Sequence, residues 1–193
     1  MLVTNICQVT AVGTRTRLRA AALELFVRQG YDQTTVAQIA AAAGVTPMTF
    51  FRHFATKERV LLDDPYDPGI AAAVARQEST LPVLERVRRG LLSAWAEIAL
   101  EEDEELRIRL RIGAGHAGLR ARMREDNQAT ESAIVEALVR TGTPRFDAAV
   151  AAGAVLGALT AALLEWAATP EPRALGSAIT RALDLLALEA TDD

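Results

Sequence analysis

The sequence is short of most residues that chemistry or covalent stapling would need. Its 193 residues include one Cys (Cys7), two His (His53 and His116) and one Lys (Lys57), and aromatics make up only 5% of the chain. A single Cys cannot close an internal disulfide, which excludes a stapled secreted scaffold and fits a reducing compartment, the cytoplasm. Two His separated by 63 positions and a lone Cys near the start leave no convergent nucleophile and base, and no Cys/His metal set. With no Gly-rich phosphate loop either, we expect no enzyme activity, no catalytic residue, no metal ligands and no cofactor. Strand-favouring residues are scarce as well. Ala and Leu dominate a chain that is 50% hydrophobic, so a core built from helix formers, an all-α fold, is expected.

Charge divides the chain. Through Arg59 there are seven Lys or Arg against three acids, a net of +4, while the remainder carries 14 against 22, a net of −8. The overall value of −4 therefore conceals a small basic segment suited to a polyanion and a larger acidic segment with another task.

Helical periodicity and punctuation give the organisation. Residues 1–13 read as a flexible N-terminal arm, and Leu18, Ala22, Leu25 and Phe26 mark a first helix from about Thr14 that Gly30 stops. Thr35-Val36-Ala37-Gln38 has capping-box order and starts a second helix, which ends at Gly44. Thr46-Pro47 restarts a third, running to about Phe54, because Pro at the first helical position loses no bond that would otherwise form. Thr56 is placed to cap a fourth, and the prolines and glycine of residues 63–69 should break regular structure. Domains at 14–62 and 63–193 follow. Beyond the break, helices are expected over Leu81–Leu100, Asp103–Gly113, Leu119–Arg140, Pro144–Ala168 and Arg173–Glu189.

The second and third helices meet across Ala43-Gly44-Val45 with the spacing of a helix-turn-helix. Ile39, Ala40, Val45 and Phe50 supply its inner face, and the turn Thr46, Pro47, Met48, Thr49 is presented outward, where a major groove about 12 Å wide could receive it. The segment TTVAQIAAAAGVTPMTFFRHFATKERVLL resembles the N-terminal signature of TetR-type regulators in order and spacing. That resemblance implies a three-helix DNA-binding domain followed by a larger helical effector-binding and dimerisation domain. The protein would be a ligand-released repressor whose partners are a double-stranded DNA operator, a small and largely apolar effector, and a second copy of itself. By the same resemblance Thr34 or Thr35 would face phosphate, Thr46, Pro47, Met48 and Thr49 would meet bases, and Phe51, His53 and Lys57 would lie along the DNA backbone. Two departures stand out. Phe51 replaces a Tyr whose hydroxyl commonly reaches phosphate, and Ala37 replaces a longer polar residue. Direct readout would then fall to Thr hydroxyls, Arg52, and contact of Pro47 or Met48 with thymine methyls. A helical ligand-binding or scaffold dimer that has lost sequence-specific DNA binding is the competing reading.

In the acidic segment, Ala148–Leu164 holds 17 uncharged residues with Gly153 and Gly157 four apart. That is shorter than the roughly 20 residues of a membrane span, so burial inside a domain and across a dimer is expected, with no membrane partner. Leu175, Ile179, Ala182, Leu183 and Leu186 form a stripe on the last helix, and with Gly153 and Gly157 they are the expected dimer interface. Trp95, His116, Met123, Asn127 and Trp166 interrupt the aliphatic pattern with shape or polarity and are the candidate effector-binding residues.

Overall fold

In a computed structural model describing residues 3–63, 67–96, 103–170 and 174–187, every regular element is an α-helix, in accord with the all-α expectation. The chain divides into two compact units, Met1–Asp63 and Asp64–Asp193.

The first unit holds α1 (Val3–Gln29), α2 (Val36–Ala42), α3 (Pro47–His53) and α4 (Arg59–Leu62). Leu18, Ala22, Leu25 and Phe26 of α1 are buried with Ile39 and Ala40 of α2, Phe50 and Phe54 of α3 and its end, and Val60 and Leu61 of α4. Because α2, α3 and α4 are seven, seven and four residues long, helix propensity alone could not hold them, and their stability comes from this shared core and from their ends. Gly30 ends α1 at φ 86°, and Gly44 makes the turn between α2 and α3 at φ 67°, a left-handed conformation that a side chain would strain. Two readings are corrected here. The expected arm at 1–13 is helical from Val3, since Gly13 costs a helix only about 1 kcal/mol and no proline precedes it. Thr56 does not cap α4, whose N-cap is Glu58 without a side-chain cap bond; the Thr56 hydroxyl bonds the Glu58 carboxylate instead.

The second unit holds α5 (Asp67–Ala75), α6 (Val83–Ala96), α7 (Asp103–Gly115), α8 (Ala117–Arg140), α9 (Arg145–Ala168) and α10 (Leu175–Asp184). The helix α5 was not expected. Pro68 and Gly69, read as breakers, fall in its first turn, where proline costs no hydrogen bond, and Ile70 to Ala75 continue it. The expected ends at Leu100 and Glu189 and the start at Arg173 lie outside the described residues.

At the centre is α9, packed against α6, α7, α8 and α10. It is 24 residues long, with mean hydropathy 1.8 over its most apolar stretch, so it is long and apolar enough to cross a bilayer. Its Ala148, Ala152 and Val155 lie fully within the core, alongside Val74, Val87, Ile134, Leu138, Leu175 and Leu183 from the surrounding helices. Close approach sets the α5–α6 packing: a Cβ on Gly90 would lie 2.6 Å from the Val74 Cα. Arginines tie the ends together. Arg86, only 3% exposed, donates to Thr143 Oγ1 at 2.9 Å and Thr141 Oγ1 at 2.8 Å, pinning α6 to the α8–α9 turn. Arg107 donates to the Thr169 and Pro170 carbonyls and Arg111 to that of Ala167, supplying partners to the C-terminal end of α9 where backbone bonds run out.

Candidate nucleic-acid interface

The helix-turn-helix is assembled by caps. Thr35 Oγ1 accepts the Gln38 N–H at 3.2 Å while Gln38 Oε1 accepts the Thr35 N–H at 2.8 Å, the reciprocal capping box read from the sequence. Thr46 caps α3 by accepting from the Thr49 N–H at 3.2 Å, with Pro47 at the first helical position. Phe50 is fully buried and anchors α3 from below, stacked at its sides by Phe54 and by Phe51, whose ring meets it edge-on at 5.5 Å. The opposite side of α3 is left bare. Thr46, Pro47, Met48, Phe51 and Arg52 are exposed, Met48 to 73% and Phe51 to 52%, and Thr49 is half-buried.

Further back, Arg15 of α1 fastens the end of α3. Its guanidinium donates to the His53 carbonyl at 2.6 Å, lies 4.3 Å over the Phe54 ring and pairs with Asp63. The His53 imidazole is half-buried, and its pKa is held below the usual histidine value, first by desolvation and then by the positive charges of Arg52 and Arg15. It is therefore a neutral donor and acceptor at neutral pH.

Two expected phosphate ligands have partners within the protein. Thr34 is 1% exposed, and its hydroxyl donates to the Gly30 carbonyl at 2.8 Å and accepts from Gln29 Nε2 at 3.2 Å. It stabilises the turn after α1 and cannot reach a phosphate with its side chain. Lys57 donates to the Tyr31 carbonyl at 2.9 Å and the Thr34 carbonyl at 3.0 Å, with its ammonium 4.0 Å over the Tyr31 ring. The one lysine thus closes the α1–α2 turn, satisfying carbonyls that no helix serves. No spacing rule in the sequence distinguishes a lysine folded inward from one pointing to solvent. Thr35 and Ala37 are exposed on α2.

In the second unit the candidate effector residues separate into two kinds. Trp166 belongs to the core cluster and half-buried Trp95 packs against it, its indole N–H buried without a hydrogen-bond partner among the described residues. Met123 is half-buried, its sulfur close to Gly113. His116 is instead the N-cap of α8, its Nδ1 accepting from the Leu119 N–H at 3.4 Å, and Asn127 is exposed and donates to Thr160 Oγ1 at 3.0 Å. Those two polar groups take part in a helix end and in helix pairing.

The expected dimer stripe is corrected too. Leu175, Ile179, Ala182 and Leu183 are buried within the unit, and Leu186 is half-buried against its core. The α10 stripe had one apolar face to give, and α9 takes it. Gly153 sits against Glu131 of α8, while Gly157 faces open space. Besides Leu185 at the end of α10, apolar surface is left outside on α9, where Phe146 (78% exposed), Val150, Ala154, Gly157 and Ala161 recur every three or four residues along its free side. An apolar pattern all round this helix was the signal for it.

A capped helix-turn-helix with its second helix bare, carried ahead of a separate helical unit, defines a DNA-binding transcription regulator. Residues 18–63 match the family model for bacterial regulatory proteins of the tetR family, and residues 81–190, more than half the chain, match that for the MftR C-terminal domain. The chain belongs to the tetR family. It is 63% identical over 49 residues to the HTH-type transcriptional regulator TcmR of Streptomyces glaucescens, a match spanning 25% of this chain and 22% of that one. Among solved structures it is similar to SmeT, the repressor of the Stenotrophomonas maltophilia multidrug efflux pump SmeDEF (TM-score 0.59, 23% identity, 89% of this chain and 87% of that one). It is also similar to Thermus thermophilus FadR, a repressor solved with lauroyl-CoA (TM-score 0.51, 27% identity, 93% of this chain and 98% of that one).

Proposed function

We infer that the protein is a cytoplasmic, homodimeric repressor released from its operator by a small, largely apolar effector. The observation that carries this is the state of α3. Buried Phe50 and the Thr46 cap hold it rigid, while Pro47, Met48, Phe51 and Arg52 present exposed surface on its outer side. Thr46, Pro47, Met48 and Thr49 would meet base edges, Arg52, His53 and Thr35 would meet phosphates, and Lys57 would act indirectly by fixing the turn before α2. Two such helices about 34 Å apart read half-sites on one face of the duplex.

The second copy would dock on the free side of α9, where an exposed Phe146 and Val150 continue into small residues that permit close helix approach. Trp95, Met123 and Trp166 are the effector-facing candidates within the helical unit, and the relative solved with lauroyl-CoA, whose acyl tail is apolar, supports a ligand with an apolar part. An effector that binds better to the DNA-incompetent spacing would shift the population away from the operator.

The test is binding of the full-length protein to the DNA immediately upstream of its own gene, measured beside sedimentation of the Phe146→Glu variant. The expected result is a specific complex for the natural protein, with the variant monomeric and far weaker on the two-half-site duplex. Absence of any preferred sequence would defeat the reading.

A further inference from the structure

The reading face of α3 is unusual in what its polar groups are doing. The Thr46 and Thr49 hydroxyls lie 3.1 Å apart and bond each other, and Thr46 Oγ1 also accepts the Thr49 N–H at 3.2 Å. One of the two hydroxyl donors available to a base edge is thus already spent within the first turn. No Asn, Gln, Lys or Arg occurs from Thr46 to Phe51, so no side chain there can make the bidentate contacts that identify guanine or adenine. What the helix offers instead is apolar. Met48 and Phe51, three residues apart and 73% and 52% exposed, share one side of α3. Met48 is unbranched and adaptable, and Phe51 is braced edge-on by the buried Phe50 ring.

In the major groove the one apolar group that varies with sequence is the C5 methyl of a pyrimidine, present on thymine and absent from cytosine. Resting on the DNA-binding role of α3, we propose that Met48 and Phe51 read the operator through pyrimidine C5 methyl groups, so that thymine and 5-methylcytosine are accepted alike and unmodified cytosine is disfavoured. The operator would then respond to cytosine methylation, tightening when a cytosine beside Met48 or Phe51 gains a methyl. The transfer of one methyl-sized group out of water corresponds to about fourfold in affinity per position.

The experiment begins with operator duplexes selected from a random library by the full-length protein. Each thymine is then replaced singly by deoxyuridine, each cytosine by 5-methylcytosine, and each guanine by 7-deazaguanine. We expect one or two positions per half-site where uracil weakens binding about fourfold, and where 5-methylcytosine paired with guanine recovers more affinity than cytosine does. Met48→Ala, a change at an exposed site that should leave the melting curve unaltered, should erase the uracil effect at its position, and Phe51→Ala at the neighbouring one. Uniform tolerance of uracil, or losses confined to 7-deazaguanine, would overturn the proposal and leave DNA binding standing. Failure to select any sequence would overturn both.

Discussion

The two units are specified by different kinds of information. In the first, beside the long α1, the seven-residue α2 and α3 are placed by local polar chemistry: the Thr35–Gln38 box, the Thr46 cap with Pro47, and Gly44 at the turn. In the second, helices of up to 24 residues are placed by burial around α9, and arginines such as Arg86 and Arg107 tie their ends. The first unit consequently displays its working surface outside a small core. The second places its aromatic candidates inward, Trp166 within the core and Trp95 half-buried against it. A regulator profits from the contrast: the reading helix must be fixed, while the sensing unit must be able to repack around something apolar.

The contrast can be broken most severely at Gly90. A methyl there meets the Val74 backbone, so Gly90→Ala should lose about 2 kcal/mol of stability in the second unit, overpacking outweighing a helix-propensity gain of about 1 kcal/mol. Both tryptophans lie in that unit, so fluorescence-detected unfolding isolates the effect. Next in size is Lys57→Met, expected to cost the first unit about 1–2 kcal/mol by stranding the Thr34 carbonyl and leaving the Tyr31 carbonyl with the Thr34 N–H alone. It should leave the salt dependence of DNA binding almost unchanged, whereas Arg52→Ala should flatten it by about 0.9 for each phosphate it no longer neutralises. A Lys57 variant that flattened the slope equally would restore it as a phosphate ligand.

A smaller effect separates the units by pH. Hydrogen bonds from Arg88, then Arg89, hold the Glu85 carboxyl at about 2 against an ordinary 4.5. Its stabilising contribution is therefore complete above about pH 4.5 and is lost as pH falls towards 2, and Glu85→Gln should remove that acid dependence from tryptophan-detected unfolding. The smallest effect concerns His53. Its pKa is depressed in the free protein, and a phosphate beside it would raise it, so binding would take up a proton. Affinity should then increase by less than about tenfold as pH drops below the ordinary histidine value, and His53→Gln should abolish the change.

These differences also explain what the sequence could disclose. Caps and turns are local in sequence, so α2, α3 and the left-handed Gly30, Gly44 and Gly142 are legible from residue type and spacing. The helix α5 is not, because Pro68 and Gly69 read as breakers until their place in a first turn is known. Side-chain direction is less legible still. Thr34 and Lys57 carry the residue types of phosphate ligands, yet Thr34 turns back onto the Gly30 carbonyl and Lys57 reaches across to the distant carbonyls of Tyr31 and Thr34. Likewise the α10 stripe announces burial without naming its partner, and only the packed unit assigns Leu175 and Leu183 to α9 and leaves Phe146 and Val150 outside.

The central claim is that the bare face of α3 binds DNA with sequence preference while the Lys57 clamp only supports it. Its most direct test is the salt dependence of binding by the full-length protein to its own upstream region and to a scrambled duplex, repeated with a Met48→Ala, Arg52→Ala double variant that retains its melting curve. The account predicts that log affinity for the upstream region falls linearly with log salt, and that its preference over the scrambled duplex persists at about 150 mM salt and vanishes in the variant. Equal binding to both duplexes, or an undiminished preference in the variant, would contradict it.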